Sequence, residues 1–288
     1  MKILLTGCDG QLGSCFLDRV PKDWEILATD YKDLDITSAE AVSAAFASFK
    51  PDAVVNAAAY TAVDKAEDDE DMARAINAMG PKYLAETCAA NNAFMVHVST
   101  DYVFDGAATE PYVETDPISP NSVYGRTKAE GEKYVANSGA DYVMLRTAWV
   151  FSEYGNNFVK TMLRLGETRT ELGVVADQFG GPTYAGDLAA VIIRVIKKKV
   201  YGERVENGIY HYCGTPMTSW AGFAKEIFKQ AEKLKLLPHK VTVNEITTAN
   251  YPTPAARPAY SMLNCEKILS SVSVDMSDWR DNLFKNIF

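Results

Sequence analysis

The sequence predicts an α/β protein, a doubly wound parallel sheet carrying a smaller C-terminal lobe. Three observations predict it. Short apolar runs alternate with helix-like segments through the first half of the chain, a glycine-rich turn follows the first of those runs, and the rhythm changes after about residue 150. With 288 residues, 47% of them hydrophobic, the chain can bury one large core or a main domain with a lobe.

Strands are expected at 3–6, 25–29, 53–56, 94–99 and 142–146, with helices between them at 11–20, 38–49, 69–91 and 123–137. Ala53-Val54-Val55-Asn56 and Met95-Val96-His97-Val98 are short, apolar and rich in β-branched residues, as strands buried on both faces are. Downstream, 157–165 reads as helix, 172–176 as strand, 186–199 as helix and 208–213 as strand. A helix at 220–235 then precedes a proline-containing loop from Tyr251 to Pro258. The core is placed at 1–150 and the lobe at 151–288, with 172–213 returning strands and a helix to the core. No repeat or flexible linker separates them, so the lobe is expected to close a cleft over the strand C-termini.

A formal charge of -9 repels phosphate backbones and anionic lipid, so neither nucleic acid nor membrane is an expected partner. Cys8, Cys15, Cys88, Cys213 and Cys265 are odd in number and scattered. They fit neither a disulfide framework nor a zinc site and read as thiols in a reducing compartment. The apolar run at Met1–Gly7 is too short for a signal peptide, and no stretch is long enough to span a bilayer, so a cytoplasmic location is expected. Three separated histidines, His97, His211 and His239, make a histidine-rich metal site improbable.

Gly7-x-x-Gly10-x-x-Gly13 lies directly after the first strand and opens the first helix. Glycines there permit a tight turn, let backbone amides approach a pyrophosphate, and let the helix pack close to the sheet. Asp30 ends the second strand, where a carboxylate accepts hydrogen bonds from adenosine ribose hydroxyls and repels a 2′-phosphate. Tyr31 follows it, not an arginine, so NADH is favoured and NADPH is the other option. Asp35 and Ile36 suit the adenine, and the small side chains of Ala57, Ala58 and Ala59 suit close backbone approach to the middle of the cofactor. The order of these features points to a Rossmann-type dinucleotide-binding core.

Tyr124 and Lys128 lie four residues apart on one face of a helix. Such a pair arises by chance in a chain this rich in both residues, so its position carries the weight. It starts the helix after Pro117-Ile118-Ser119-Pro120-Asn121, while Ser99-Thr100-Asp101 ends the fourth strand. Hydroxyl, phenol and ammonium are thereby expected to meet at the mouth of the cleft. The trio suits proton donation to a carbonyl oxygen as hydride reaches its carbon: a nearby cation favours the phenolate, and Thr100 steadies the developing charge.

Together with Asn56-Ala57-Ala58-Ala59 and Ser99-Thr100-Asp101-Tyr102-Val103-Phe104-Asp105-Gly106, these motifs resemble the extended short-chain dehydrogenases. Residues 56–67, 145–151, 155–163, 177–183 and 256–260 are similar, more narrowly, to the branch that reduces nucleotide-linked 4-keto sugars, and the resemblance covers almost the whole chain. It implies NAD(P)H-dependent reduction of dTDP-4-dehydro-L-rhamnose to dTDP-L-rhamnose. Tyr124 is then the catalytic acid and Lys128 its partner, and Thr100, Asp101 and Trp149 face the sugar. Cofactor contacts come from Gly10, Gln11, Leu12, Asp30, Asp35, Ile36, Ala57, Ala58, Ala59 and Tyr60, with Tyr124 and Lys128. Asn157, Gln178 and Arg257 are implied at the nucleotide diphosphate. Some members carry a glutamate shortly after the third glycine that helps bind magnesium at a dimer contact. Here Cys15 stands there, so a magnesium site is expected to be absent or weakened, and a homodimer is left open.

The remaining features have plainer readings. His97 reads as a core histidine with one satisfied nitrogen, the acidic run Glu67–Asp71 as a helix start, and Lys197–Lys199 as a solvated helix end. Two other functions compete: an epimerase or 4,6-dehydratase on the same scaffold, and a non-catalytic dinucleotide-binding subunit. Asp101 is followed by Tyr102 and not by the glutamate that dehydration uses, and the trio is intact, which favours reduction.

Overall fold

Apolar strands that must be covered on both faces are accommodated by a parallel sheet between two helical layers. In the computed structural model, which describes residues 1–203 and 205–287, six such strands form β1 (Lys2–Thr6), β2 (Glu25–Thr29), β3 (Ala53–Asn56), β4 (Phe94–Thr100), β5 (Asp141–Thr147) and β6 (Gly208–His211). All pair in parallel, in the order β6-β5-β4-β3-β1-β2. The chain runs from β1 outward to β2 and then crosses back to β3, so the switch in direction falls between β1 and β3. Ligands bind beyond the strand C-termini at such a switch.

Strand alternation divides the core. Leu4, Val54, Met95 and Met144 face a layer built from α2 (Ala39–Phe49), α3 (Gly80–Asn91) and α4 (Val123–Asn137). Ile3, Leu5, Val55, Val96 and Leu145 face the opposite layer, where α1 (Gln11–Arg19) packs on α6 (Ala185–Val200). A third cluster fills the lobe. There Val159 and Met162 of α5 (Phe158–Gly166) meet Phe223 and Ile227 of α7 (Trp220–Lys233).

Two expectations need correction. The helix expected at 69–91 is broken into Glu70–Arg74, a π turn at Ala75–Met79, and α3. Pro81 has no amide to offer the Asn77 carbonyl four residues back, and the Gly80 amide reaches Ala75 instead, widening the turn. The strand expected at 172–176 does not return to the main sheet either. Glu171–Val175 pairs in parallel with Thr242–Ile246 in the lobe, burying alternate residues there, so from 172–213 the main sheet receives only α6 and β6.

His97 is a buried core residue, as expected: Asn56 donates to its Nδ1 at 3.1 Å, its Nε2 has no partner, and burial holds it neutral. The core also holds a buried ion pair. Arg146 of β5 donates to both oxygens of Glu132 of α4, at 2.9 and 2.7 Å, and the side chains are 2% and 4% exposed. Ser99 of β4 donates to the same carboxylate at 2.6 Å, and the guanidinium lies over the Phe104 ring. His211 of β6 faces it too, its pKa lowered to about 3 by burial and by that positive charge.

Because removing one member strands the other in a dry interior, Glu132→Ala is expected to lower unfolding stability by about 3–5 kcal/mol in urea denaturation. Glu132→Met combined with Arg146→Leu should cost less than either single removal of charge. A single variant as stable as the parent would refute this.

Candidate active site

At the C-terminal end of β1 the chain must turn sharply and let the next strand's loop come close. Gly7 does so with φ +74°, and a Cβ there would sit 2.7 Å from the Ala58 amide nitrogen. Helix α1 follows with Gly10 as N-cap and no side-chain cap, so its first amides point into the crevice uncommitted to a side chain. Asp30, just past β2, accepts from the Tyr31 and Asp9 amides at 2.7 and 3.3 Å, which fixes its carboxylate at the same crevice. Asp35 accepts from both the amide and the hydroxyl of Thr37.

These groups line one end of a cavity of about 960 Å³, at the upper end of the range for cofactor sites. The Cβ-free approach at Gly7 and the uncapped helix start fit the pyrophosphate of a dinucleotide. Gly7, Gly10, Gln11, Leu12 and Gly13 line this end, as do Asp30, Asp35, Ile36 and the three alanines 57–59.

The other end is where the strands deliver their last residues. Thr100 ends β4, donates to Asp101 Oδ1 at 2.9 Å and accepts from the Tyr102 amide, capping a single 3-10 turn. Ser122 caps α4 by accepting from the Gly125 amide. A Cβ at Gly125 would collide with the Tyr102 carbonyl, so helix start and 3-10 turn are in direct contact. That contact sets Tyr124 edge-on to Tyr102, centroids 5.4 Å apart, at the cavity wall. One turn on, Lys128 is buried and donates to the Val98 carbonyl at 2.6 Å.

Burial dominates the electrostatics here. It pushes the Tyr124 phenol up to about 12, opposed by a hydrogen bond with Thr100 and reinforced by the Asp101 charge. It pulls Lys128 down to about 8, against the pull of Glu132. The sequence reading has the lysine lowering the tyrosine; in this arrangement the ammonium is spent on Val98, and desolvation decides. Asp101 rises to about 6, chiefly by burial. Its Oδ2 makes no geometric hydrogen bond, although the Ser261 hydroxyl is near enough to steady the charge. The Thr147 hydroxyl, paired in register with Thr100, is likewise buried without a partner. Both residues belong to the cavity wall.

Thr100, Asp101, Tyr124, Lys128 and Trp149 are thus brought together with the cofactor end in one cavity. Tyr60, Asn157, Gln178 and Arg257 are not among its lining residues. Tyr60 is held by Asn77, whose side chain pairs with both its amide and its carbonyl. Asn157 caps α5 and donates to Gln11, bracing a residue that does line the cavity. Gln178 donates to Thr248, and Arg257 grips Asp64 with two nitrogens at 2.9 and 2.7 Å.

Sequence reasoning missed Thr147, Asn77 and Trp220. The strand-end register of Thr147 with Thr100 was a usable signal, whereas nothing local marks the other two. Among the described residues, one group of three metal-ligating atoms lies together, Cys8, Asp9 and Asp30. Burial and these carboxylates raise the Cys8 thiol to about 11, which disfavours the thiolate a metal needs. Cys15 is buried, 3.9 Å from Glu153, with its thiol raised to about 12 by desolvation. No helix of the described residues is long and apolar enough to cross a membrane.

Residues 1–287 match the family model described as the RmlD substrate binding domain. The chain is 49% identical over 288 residues to a dTDP-4-dehydrorhamnose reductase of Aggregatibacter actinomycetemcomitans, covering 99% of this chain and 98% of that one. It is similar in structure to a dTDP-4-dehydrorhamnose reductase of Clostridium acetobutylicum, with TM-score 0.92, 44% identity and coverage of 100% and 98% of the two chains. It is also similar to the Bacillus anthracis protein of that name solved in complex with NADP, with TM-score 0.91, 37% identity and coverage of 98% and 96%.

The buried ammonium generates a direct prediction. Since desolvation disfavours the charged form, Lys128 should carry its charge below a pH of about 8 and lose it above, well before an ordinary lysine. NMR titration of the lysine side chains, assigned with Lys128→Met, measures the midpoint. A midpoint near 10.5, the ordinary lysine value, would show that the site is far wetter than described.

Proposed function

The chain belongs to the RmlD substrate-binding-domain family, and from that premise we propose that it reduces the 4-keto group of dTDP-4-dehydro-L-rhamnose to dTDP-L-rhamnose with a nicotinamide dinucleotide as reductant. One observation carries the reading. A single cavity joins a glycine-turn anion site to a strand-end cluster of hydroxyl, phenol and ammonium.

The reduced cofactor supplies the hydride when bound. The uncapped start of α1 would hold its pyrophosphate, Asp30 its adenosine ribose and Lys128 its nicotinamide ribose. Thr100 orients the substrate carbonyl. Tyr124 gives its phenolic proton to the carbonyl oxygen as the carbon accepts hydride, so the ketone becomes a secondary alcohol and the phenolate is left beside Lys128. A phenol held near 12 keeps its proton at neutral pH and is therefore always loaded as the donor. Trp149 offers the sugar ring an apolar face, and Asp101 accepts from its hydroxyls.

The diphosphate roles of Asn157, Gln178 and Arg257 are not part of this reading, because none of the three lines the cavity and each bonds to a protein partner. Nor is dehydration, since Tyr102, packed on Tyr124, occupies the place of a second carboxylate. For the cofactor, NADH is the preferred form: Asp9, Asp30 and Asp33 all act on Cys8, an acidic cluster that opposes a ribose 2′-phosphate. Magnesium is assigned no role.

Two measurements test this. Tyr124→Phe should lower kcat for the nucleotide-linked ketone by about a hundredfold or more while leaving NADH binding nearly intact, and turnover near that of the parent would remove Tyr124 from its role. In kcat/KM comparisons NADH should exceed NADPH, with Asp30→Ala narrowing the gap. A parent enzyme that prefers NADPH would overturn the assignment.

A further inference from the structure

Trp149 does not hang freely into the cavity. Its ring lies flat on that of Trp220, centroids 3.6 Å apart and planes 8° from parallel, and both side chains line the cavity. The two come from different parts of the molecule: Trp149 follows β5 of the main sheet, while Trp220 is the first residue of α7 in the lobe.

The grip on Trp149 is built from several sides. Its backbone lies in the left-handed region at φ +50°, a conformation a bulky residue keeps only when its surroundings hold it there. Its carbonyl accepts from the Thr183 amide at 3.1 Å, and the next residues, Val150–Phe151, pair with Thr183–Tyr184. A Cβ at Gly180 would sit 2.8 Å from the indole Cε2, so the absence of a side chain there makes room for the ring. Gly180 in turn pairs with Thr218 in the antiparallel ladder that leads into Trp220. Phe158 of α5 packs against Trp220 from the lobe side, centroids 4.7 Å apart. Ring, ladder and helix start form one unit spanning sheet and lobe.

We propose that Trp220 is a positioning residue for the nucleotide sugar: by stacking on Trp149 it fixes the plane of the indole on which the sugar ring packs. The proposal rests on the reading above that Trp149 faces the sugar. Stacking of this kind restricts an aromatic ring to one orientation, and a platform already oriented does not have to be ordered when the sugar arrives. Sugar placement, not cofactor binding, is therefore what Trp220 controls.

The test uses Trp220→Ala, Trp220→Phe and Gly180→Ala in the full chain. Stacked indoles give an exciton couplet in circular dichroism, so the parent should show one and both Trp220 variants should lack it. With Trp220→Ala, kcat/KM for dTDP-4-dehydro-L-rhamnose should fall about tenfold or more while the dissociation constant for NADH stays within about twofold. Trp220→Phe, which keeps an aromatic plate under Trp149, should recover most of that loss. Gly180→Ala should alter the couplet and lower kcat/KM in the same direction by displacing the indole. Should Trp220→Ala fail to fold, the other two variants decide.

A parent without a couplet, or a Trp220→Ala variant that loses it and turns over the sugar as well as the parent, would overturn the proposal alone. A loss of NADH affinity equal to the loss of kcat/KM would also overturn it, by making Trp220 a general structural residue. A folded parent that reduces no nucleotide-linked 4-keto sugar would instead bring down the functional reading, and this proposal with it.

Discussion

Arg146 and Glu132 carry opposite charges into the buried interior, where each alone would be strongly destabilising, and much else is arranged around their meeting. The pair joins α4 to β5, Ser99 adds β4, and His211 adds β6. Each of these attachments lies next to a functional position. Ser99 precedes Thr100, Glu132 lies one turn beyond Lys128, and Arg146 precedes Thr147. A helix and three strand ends are thereby held in register at the point where the candidate chemistry occurs. A hydrophobic contact could fill the same volume, but two bidentate groups and a hydroxyl also dictate direction. His211 is kept neutral first by burial and then by the Arg146 charge beside it.

The two ends of the cavity are built by opposite means. At the glycine-turn end the protein withdraws side chains: Gly7, Gly10 and the alanines after β3 leave backbone at the cavity wall, and the amides at the start of α1 carry no side-chain cap, which suits a local anion site in a chain of net charge -9. At the sugar end it supplies side chains in a desolvated setting. There burial moves Tyr124, Lys128 and Asp101 in the directions that disfavour charge. Under the proposed function the first end would recognise an anion by geometry, and the second would prepare proton transfer by excluding water.

Between the ends lies the seam of sheet and lobe. The lobe has its own core around Phe223 and Ile227, yet it reaches the cavity through Trp220 and through the short ladder of Phe179–Gly180 with Thr218–Ser219. Asp64 and Arg257 make a second tie across the seam, joining the loop before the lobe's final helices to the segment after β3. In that ion pair a carboxylate of its own chain takes both terminal nitrogens of the Arg257 fork.

By itself the sequence determined the elements whose signals are local. The parallel strands were legible because a doubly buried strand must be a short β-branched apolar run. The glycine turn was legible because only glycine tolerates φ +74° against another backbone. Tyr124 and Lys128 were legible because helical spacing puts them on one face. The break near Pro81 had a local cause as well, though the long helix-like run of residues 69–91 concealed it. Tertiary structure alone decided what depends on partners distant in the chain. It sent Glu171–Val175 to a strand some seventy residues later, engaged Asn157, Gln178 and Arg257 elsewhere, and left Thr147 buried without a partner. It also set the lysine and phenol in a desolvated pocket where burial moves both away from their ordinary acidity. Burial and partnership are properties of the assembled neighbourhood, and residue type records only the capacity for them.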